Sequence, residues 1–138
     1  MSKIAIIYWS GTGNTQAMAE AVAEGARSAG CDVDVLTSAD VKDAAAYDAV
    51  ALGCPAMGAE ELEDGEFLPM LEGIEPTLAG KRVALFGSYG WGDGEWMRSW
   101  EDRCAQKGIT LAAESVICNE APDDDALEAC KKLGAAIA

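Results

Sequence analysis

The stretch Ser10-Gly-Thr-Gly-Asn-Thr15 does most to limit what this chain can fold into. It follows an apolar run, Ile4-Ala-Ile-Ile-Tyr-Trp9, and precedes a small-residue pattern of helical spacing that begins near Asn14. A strand, a tight polar loop and a helix N-terminus in succession make an anion site. Open backbone N–H groups and the positive end of the helix dipole, worth roughly half an elementary charge, face whatever the loop encloses. Gly11 and Gly13 let the backbone close around a phosphate-sized group. Ser10, Thr12, Asn14 and Thr15 add four uncharged side-chain donors. Neither Lys nor Arg occurs between Lys3 and Arg27, so the Lys-Ser/Thr pair of a triphosphate-binding loop is missing. Gln16 stands where a dinucleotide fingerprint needs its third Gly. The loop reads as a cradle for a monoester phosphate held by neutral donors; the alternative is a plain strand-to-helix turn.

The rest of the chain repeats the strand–helix alternation. Strands are expected at 3–9, 31–37, 48–54, 81–87 and 109–117, and helices at 14–29, 65–73, 95–107 and 123–137. The first, third and fourth strands are nearly continuous apolar runs, as in parallel strands covered on both faces. The second alternates Asp32-Val-Asp-Val35, and the fifth carries Glu114 and Ser115, so both read as edges. Pro69 is tolerable only in the first turn of its helix. Asp93 is a candidate cap for the helix at 95, and Asp123 to Asp125 suit the dipole of the last one. The expected fold is therefore α/β, a single domain over 1–138 with a five-stranded parallel sheet between two helical layers. A chain of 138 residues is one domain by length.

Charge excludes several function classes. Twenty-four acidic against ten basic residues leave −14, which repels nucleic acid and anionic membrane and attracts a basic protein partner. No apolar run approaches the roughly 20 residues of a membrane span. Met1-Ser2-Lys3 leads straight into a strand without an apolar signal region, so a cytoplasmic protein is expected. The five Cys form no C-x-x-C pair and no metal spacing, and read as reduced, mostly buried thiols. The chain has no His, which removes the commonest general base and metal ligand; no metal site is expected.

In parallel sheets ligands sit beyond the carboxyl ends of the strands, where strand order reverses. Three loops lie at such ends: Ser10–Thr15, Pro55–Glu60 and Ser88–Gly94, with Cys118–Pro122 beside them. The first takes phosphate. The others offer Met57, Trp91 and Tyr89, so a ligand with a phosphate at one end and a planar ring at the other fits. Glu60 can accept a hydrogen bond from a ring N–H. Taken singly, Met57 reads equally as a gap filler and Glu60 as a solvated acid. A Trp between glycines in a polar loop has no helix face to pack on.

The three loops together, Ser10-Gly-Thr-Gly-Asn-Thr15, Gly53-Cys-Pro-Ala-Met-Gly58 and Gly87-Ser-Tyr-Gly-Trp-Gly92, resemble those of the short-chain bacterial flavodoxins of clostridial and Megasphaera type. The likeness extends over the chain, including Glu60-Glu-Leu-Glu-Asp64 and Asn119-Glu120. It implies a sheet in the order 2-1-3-4-5 with non-covalent FMN at the switch point between strands 1 and 3, a rule for which flavodoxin is itself a standard example. It assigns Ser10, Gly11, Thr12, Gly13, Asn14 and Thr15 to the phosphate, Met57 and Trp91 to the two faces of the isoalloxazine, and Glu60 to the ring N3–H. Ala56, Ser88, Tyr89, Gly90 and Asn119 fall to the ribityl chain and pyrimidine edge. Gly58 takes the redox-sensitive position, its carbonyl turning to accept a hydrogen from reduced N5; Gly permits the positive φ that the turn exchange requires. Ala59, in the same turn, stands where relatives are often polar.

The resemblance implies a low-potential one-electron carrier, not an enzyme, cycling between neutral semiquinone and anionic hydroquinone. The acidic balance fits that role. A carboxylate about 10 Å away at an effective dielectric near 20 opposes the anion by roughly 1–2 kcal/mol before salt screening. For one electron, 1.4 kcal/mol is about 60 mV. The competing reading is an FMN-dependent NAD(P)H or quinone reductase, which needs a substrate pocket for which the chain shows no extra segment. Expected partners are ferredoxin-linked iron–sulfur or flavin enzymes that meet a monomer through an acidic rim.

Overall fold

A computed structural model of the protein describes residues 2–41, 43–58, 60–90 and 92–138. Five parallel strands form one sheet: β1 (Lys3–Tyr8), β2 (Asp32–Thr37), β3 (Ala49–Gly53), β4 (Arg82–Tyr89) and β5 (Val116–Asn119), in the order β2-β1-β3-β4-β5. The four helices are α1 (Asn14–Ser28), α2 (Phe67–Ile74), α3 (Glu95–Gln106) and α4 (Asp124–Ala136), with 3-10 turns at Ser38–Asp40 and Glu75–Thr77. The expected order of strands is the observed one. No helix among the described residues is long and apolar enough to cross a membrane.

Period-two alternation divides the apolar strands between two cores of different character. Ile4, Ile6, Ala49, Ala51, Ala84 and Phe86 face α1 and α4. Ala5, Ile7, Val50, Leu52, Val83 and Leu85 face α2 and α3. Three of the six residues on the first face are Ala, and α1 meets them with Met18, Ala19, Val22, Ala23 and Ala26. Small residues on both sides let the helix lie close to the sheet. The second face is filled by large rings: Trp96, Trp100 and Phe67 are each at most 1% exposed, and the Phe67 and Trp100 rings meet edge to face at 5.5 Å.

Helix α1 also packs tightly on α4, and two glycines make this possible. A Cβ on Gly25 would overlap the Lys131 carbonyl, and one on Gly134 would overlap the Val22 carbonyl. Ala29, at the end of the expected helix 14–29, lies past the last helical residue and is exposed.

Three local expectations are corrected. The fifth strand does not span 109–117. Ile109 drops into the α2/α3 core, Leu111 makes a single bridge to Val83, the chain bends, and β5 pairs only from Val116. Strands β4 and β5 run on through the polar residues Ser88, Tyr89, Cys118 and Asn119, because ladder hydrogen bonds join backbones whatever the side chains are. Asp93 does not cap α3. The cap position is Gly94, in the left-handed region at φ 93°, and Asp93 instead pairs with Arg98 at 2.9 Å. Asp123 does cap α4, accepting from the Ala126 N–H at 2.8 Å. Pro69 sits in the first turn of α2, where it costs no hydrogen bond.

Candidate functional site

At the carboxyl ends of β1, β3 and β4 the chain leaves a cavity of about 530 Å³, a size suited to a cofactor. The expected loops line it: Gly11, Thr12 and Asn14 from the first, Ala56 and Met57 from the second, Ser88, Tyr89 and Gly90 from the third. Trp9, Pro55, Glu120 and Ala121 also line it, and none of these four was assigned from the sequence. The described lining contains no Lys or Arg.

The first loop is built around a helix start. Gly13, at φ 95°, occupies the cap position of α1, and its carbonyl accepts the first helical bond from the Ala17 N–H at 3.0 Å. The Ser10 hydroxyl accepts from the Gly13 N–H at 3.0 Å, closing the loop while leaving its own hydrogen free to donate. The opening N–H groups of a helix have no intrahelical acceptor, and here no acidic side chain occupies the first turn. Thr15 is 1% exposed, and its Oγ1 has no hydrogen-bond partner. A buried hydroxyl of this kind costs about 1–3 kcal/mol unless something answers it. Trp9 folds its ring over Gly11, where a Cβ would lie 3.2 Å from the ring.

The second loop is pinned to the third. The Ala56 N–H donates to the Ser88 carbonyl at 3.0 Å, prolonging the β3–β4 ladder past its regular end. Trp96 Nε1 donates to the Cys54 carbonyl at 3.0 Å, and its ring lies 5.5 Å from that of Tyr89. Gly87 permits this approach, since a Cβ there would overlap the Cys54 carbonyl. Beyond Met57 the chain turns: the Glu60 N–H donates to the Met57 carbonyl at 2.8 Å, and the Met57 N–H to the Glu61 carbonyl at 2.9 Å. Gly58 is exposed, its φ lies outside the left-handed region, and a Cβ on it would meet nothing within 4 Å. Ala59 and Trp91 lie outside the described residues.

The third loop is tied to β5. The buried Ser88 hydroxyl donates to the Glu120 carbonyl at 2.6 Å. The Tyr89 carbonyl accepts from the Glu120 N–H at 2.7 Å and from Asn119 Nδ2 at 3.3 Å. Asn119 therefore holds the loop from outside the cavity, while its neighbour Glu120, in the left-handed region at φ 57°, enters the wall.

Glu60 lies apart from the main cavity. At φ 53°, it places its carboxylate against Gly92, where any Cβ would collide with it. Its Oε1 is buried without a partner, and its carboxylate lies within 4.8 Å of those of Asp93 and Glu95. The structure thus gathers the three loops around one opening. Of the assigned residues that it describes, Ser10, Gly13, Thr15, Gly58, Glu60 and Asn119 stand behind or beside the cavity, and the rest form its lining. The buried thiols are inert by comparison. Burial pushes Cys54 and Cys130 up to about 12 and Cys104 to about 11.

A protein-family model described as Flavodoxin matches residues 6–134. A flavodoxin of Megasphaera elsdenii is 47% identical over 98% of both chains. One of Clostridium beijerinckii is 46% identical over 93% of this chain and 96% of its own. The solution structure of the two-electron reduced Megasphaera elsdenii protein superposes with a TM-score of 0.88, covering 97% of each chain.

Proposed function

The chain belongs to the flavodoxin family, whose members are FMN-binding electron carriers and not enzymes, and from that premise we propose that it is a low-potential one-electron carrier whose residues set the potential. FMN, when bound, supplies the one-electron chemistry. The single observation that carries the reading is Thr15 Oγ1, buried and unanswered at the start of α1 beneath a loop of neutral donors. An anionic phosphate would answer it together with the opening N–H groups of the helix.

On this reading Ser10, Thr12, Asn14 and Thr15, with the backbone of Gly11 and Gly13, hold the phosphate without a counter-charge. Ala56, Ser88, Tyr89 and Gly90 flank the ribityl chain and the ring edge, and Asn119 fixes the Tyr89 carbonyl from behind. Met57 and Trp91 would be the residues to flank the ring. Glu60 accepts from the ring N3–H. In the described conformation nothing at position 58 requires glycine, neither its φ nor its surroundings. The glycine would therefore allow a second turn conformation, in which the Gly58 carbonyl could turn toward the flavin.

Negative charge is concentrated nearby. Glu120 stands in the wall, and Glu60, Asp93 and Glu95 cluster at the start of α3, with only Arg98 paired among them. These groups disfavour adding an anion and so push the last one-electron step to low potential. The same rim suits basic redox partners, ferredoxin-linked iron–sulfur or flavin enzymes, meeting a cytoplasmic monomer built as one unit over 1–138. Anaerobic stepwise reduction of the purified protein tests the reading by its visible spectrum. Two resolved one-electron steps, the second far below the first, are expected. Bleaching in a single two-electron step would overturn the carrier role. A protein that takes up no FMN would overturn the site.

A further inference from the structure

Among the methionines that the structure describes, Met57 differs from the others in its surroundings. Met18, Met97 and Met70 belong to the two cores and are 0%, 3% and 9% exposed. Met57 is partly open to solvent and lines the main cavity. Two backbone bonds hold it at the cavity wall: its N–H donates to the Glu61 carbonyl at 2.9 Å, and its carbonyl accepts from the Glu60 N–H at 2.8 Å. Oxidation of a thioether needs access for the oxidant, so the ligand-free cavity presents Met57 and the cores withhold the rest.

The surroundings decide what that oxidation does. A sulfoxide turns a flexible apolar side chain into a polar, chiral one whose oxygen is a strong acceptor. Beside Met57 the cavity wall is built from Trp9, Pro55, Ala56 and Tyr89, which favour an apolar occupant. The Ser88 hydroxyl, at the neighbouring strand end, is already committed to the Glu120 carbonyl at 2.6 Å. In the open cavity water can answer the sulfoxide oxygen. A planar ring laid over it removes that water and leaves the oxygen buried without a donor.

We propose that Met57 is a reversible oxidation site that gates cofactor loading. Hydrogen peroxide entering the empty cavity converts the thioether to the sulfoxide, and the oxidised protein takes up FMN poorly until a thiol-dependent sulfoxide reductase restores it. In the forward step a sulfur lone pair attacks one peroxide oxygen, the O–O bond breaks, an S–O bond forms and water leaves. Sulfur loses two electrons and the peroxide gains them. The return step oxidises two thiols to one disulfide and releases the oxygen as water. The effect on loading rests on the flavin reading of the cavity; the selectivity of the oxidation does not.

The test treats the full ligand-free chain with limiting hydrogen peroxide, then with a dithiol to reverse thiol oxidation. Mass spectrometry of the peptides follows the gain of one oxygen at each methionine, and flavin fluorescence quenching gives FMN affinity before and after. Met57 should oxidise roughly tenfold or more faster than Met18, Met70 and Met97. The treated protein should bind FMN roughly tenfold or more weakly, and methionine sulfoxide reductase with dithiol should restore it. The affinity of Met57→Leu, whatever its own value, should not move with peroxide, although that variant keeps Met1 and all five Cys. Oxidation spread evenly over the methionines, a Met57 sulfoxide that leaves FMN affinity unchanged, or an equal loss in Met57→Leu would each overturn the switch. An untreated protein that takes up no FMN would sink the cavity reading and the switch with it. Only the untreated titration reports that failure, so the two are told apart.

Discussion

Thr15→Val separates the two consequences of one buried hydroxyl. Val keeps the shape and β-branching of Thr, and its helix propensity is similar, so α1 should start as before. In the ligand-free protein the Oγ1 is 99% enclosed with its residue and has no partner. Removing an unanswered buried polar group relieves about 1–3 kcal/mol, and ligand-free Thr15→Val should be more stable than the parent by that amount. With FMN the sign reverses. A hydrogen bond to a charged group contributes about 1.5–3 kcal/mol, so the variant should bind FMN roughly 10- to 150-fold more weakly. Urea denaturation of the ligand-free proteins gives the first quantity, and quenching of flavin fluorescence on titration gives the second. Unchanged FMN affinity would refute the assignment of Thr15 to the phosphate. A destabilised ligand-free variant would show that the hydroxyl already has a partner, and the vacancy argument would fail.

Other outcomes follow from particular contacts. Gly25→Ala and Gly134→Ala should each destabilise the protein by about 2–4 kcal/mol in urea, because the new Cβ meets a carbonyl of the facing helix that cannot step aside. Gly58→Ala should leave stability within about 0.5 kcal/mol, yet diminish the one-electron-reduced flavin seen in a reductive titration, since positive φ costs a side chain about 1–2 kcal/mol in the alternative turn. Glu63 accepts from the N–H groups of Gly65, Glu66 and Phe67 at 2.7–2.8 Å; partial burial opposes its charge, but these bonds prevail and hold its carboxyl below the usual range. Its contribution to stability should thus be full above the unfolded value of about 4.3 and fade as pH falls through the lower folded value. The difference between wild type and Glu63→Gln, measured at pH 7 and again in acid, should accordingly shrink on acidification. Iodoacetamide at pH 8 should spare Cys54, Cys104 and Cys130 in the native protein and reach them only in denaturant.

The layers were legible because period and composition agree, whereas the strand order came from the resemblance of the three loops to those of the flavodoxins. A continuous apolar run such as Ala49–Gly53 is buried at every position and can only be a central strand. That the first loop opens on the cavity was legible for a similar reason, its glycines and neutral donors standing between a strand end and a helix start. What escaped depends on contacts between distant parts of the chain. Trp9 ends an apolar run and looks like strand; only the turn at Gly11 brings its ring into the cavity wall. Glu120 and Ala121 read as loop, and it is the pairing of Tyr89 with Asn119 that carries them to the opening. Glu63 was hidden in a run of acids, where nothing local distinguishes a cap reaching three N–H groups from a solvated carboxylate.

The two cores explain why the opening sits where it does. The small-residue face draws α1 against the sheet and, through Gly25 and Gly134, against α4, which fixes the helix axis and therefore the place where its N-terminus meets the end of β1. The large-residue face works from the other side: Trp96 reaches up from α3 to the Cys54 carbonyl and backs Tyr89, setting the distance between the second and third loops. The proposed cradle and ring slot are thus positioned by different cores that share only the sheet. A Lys in the first loop would strengthen phosphate binding, but it would also place a cation near the flavin and raise the potential that the carboxylates lower. On the proposed reading, neutral donors on a firmly held helix N-terminus gain affinity from geometry instead of charge, which is compatible with a strongly reducing carrier.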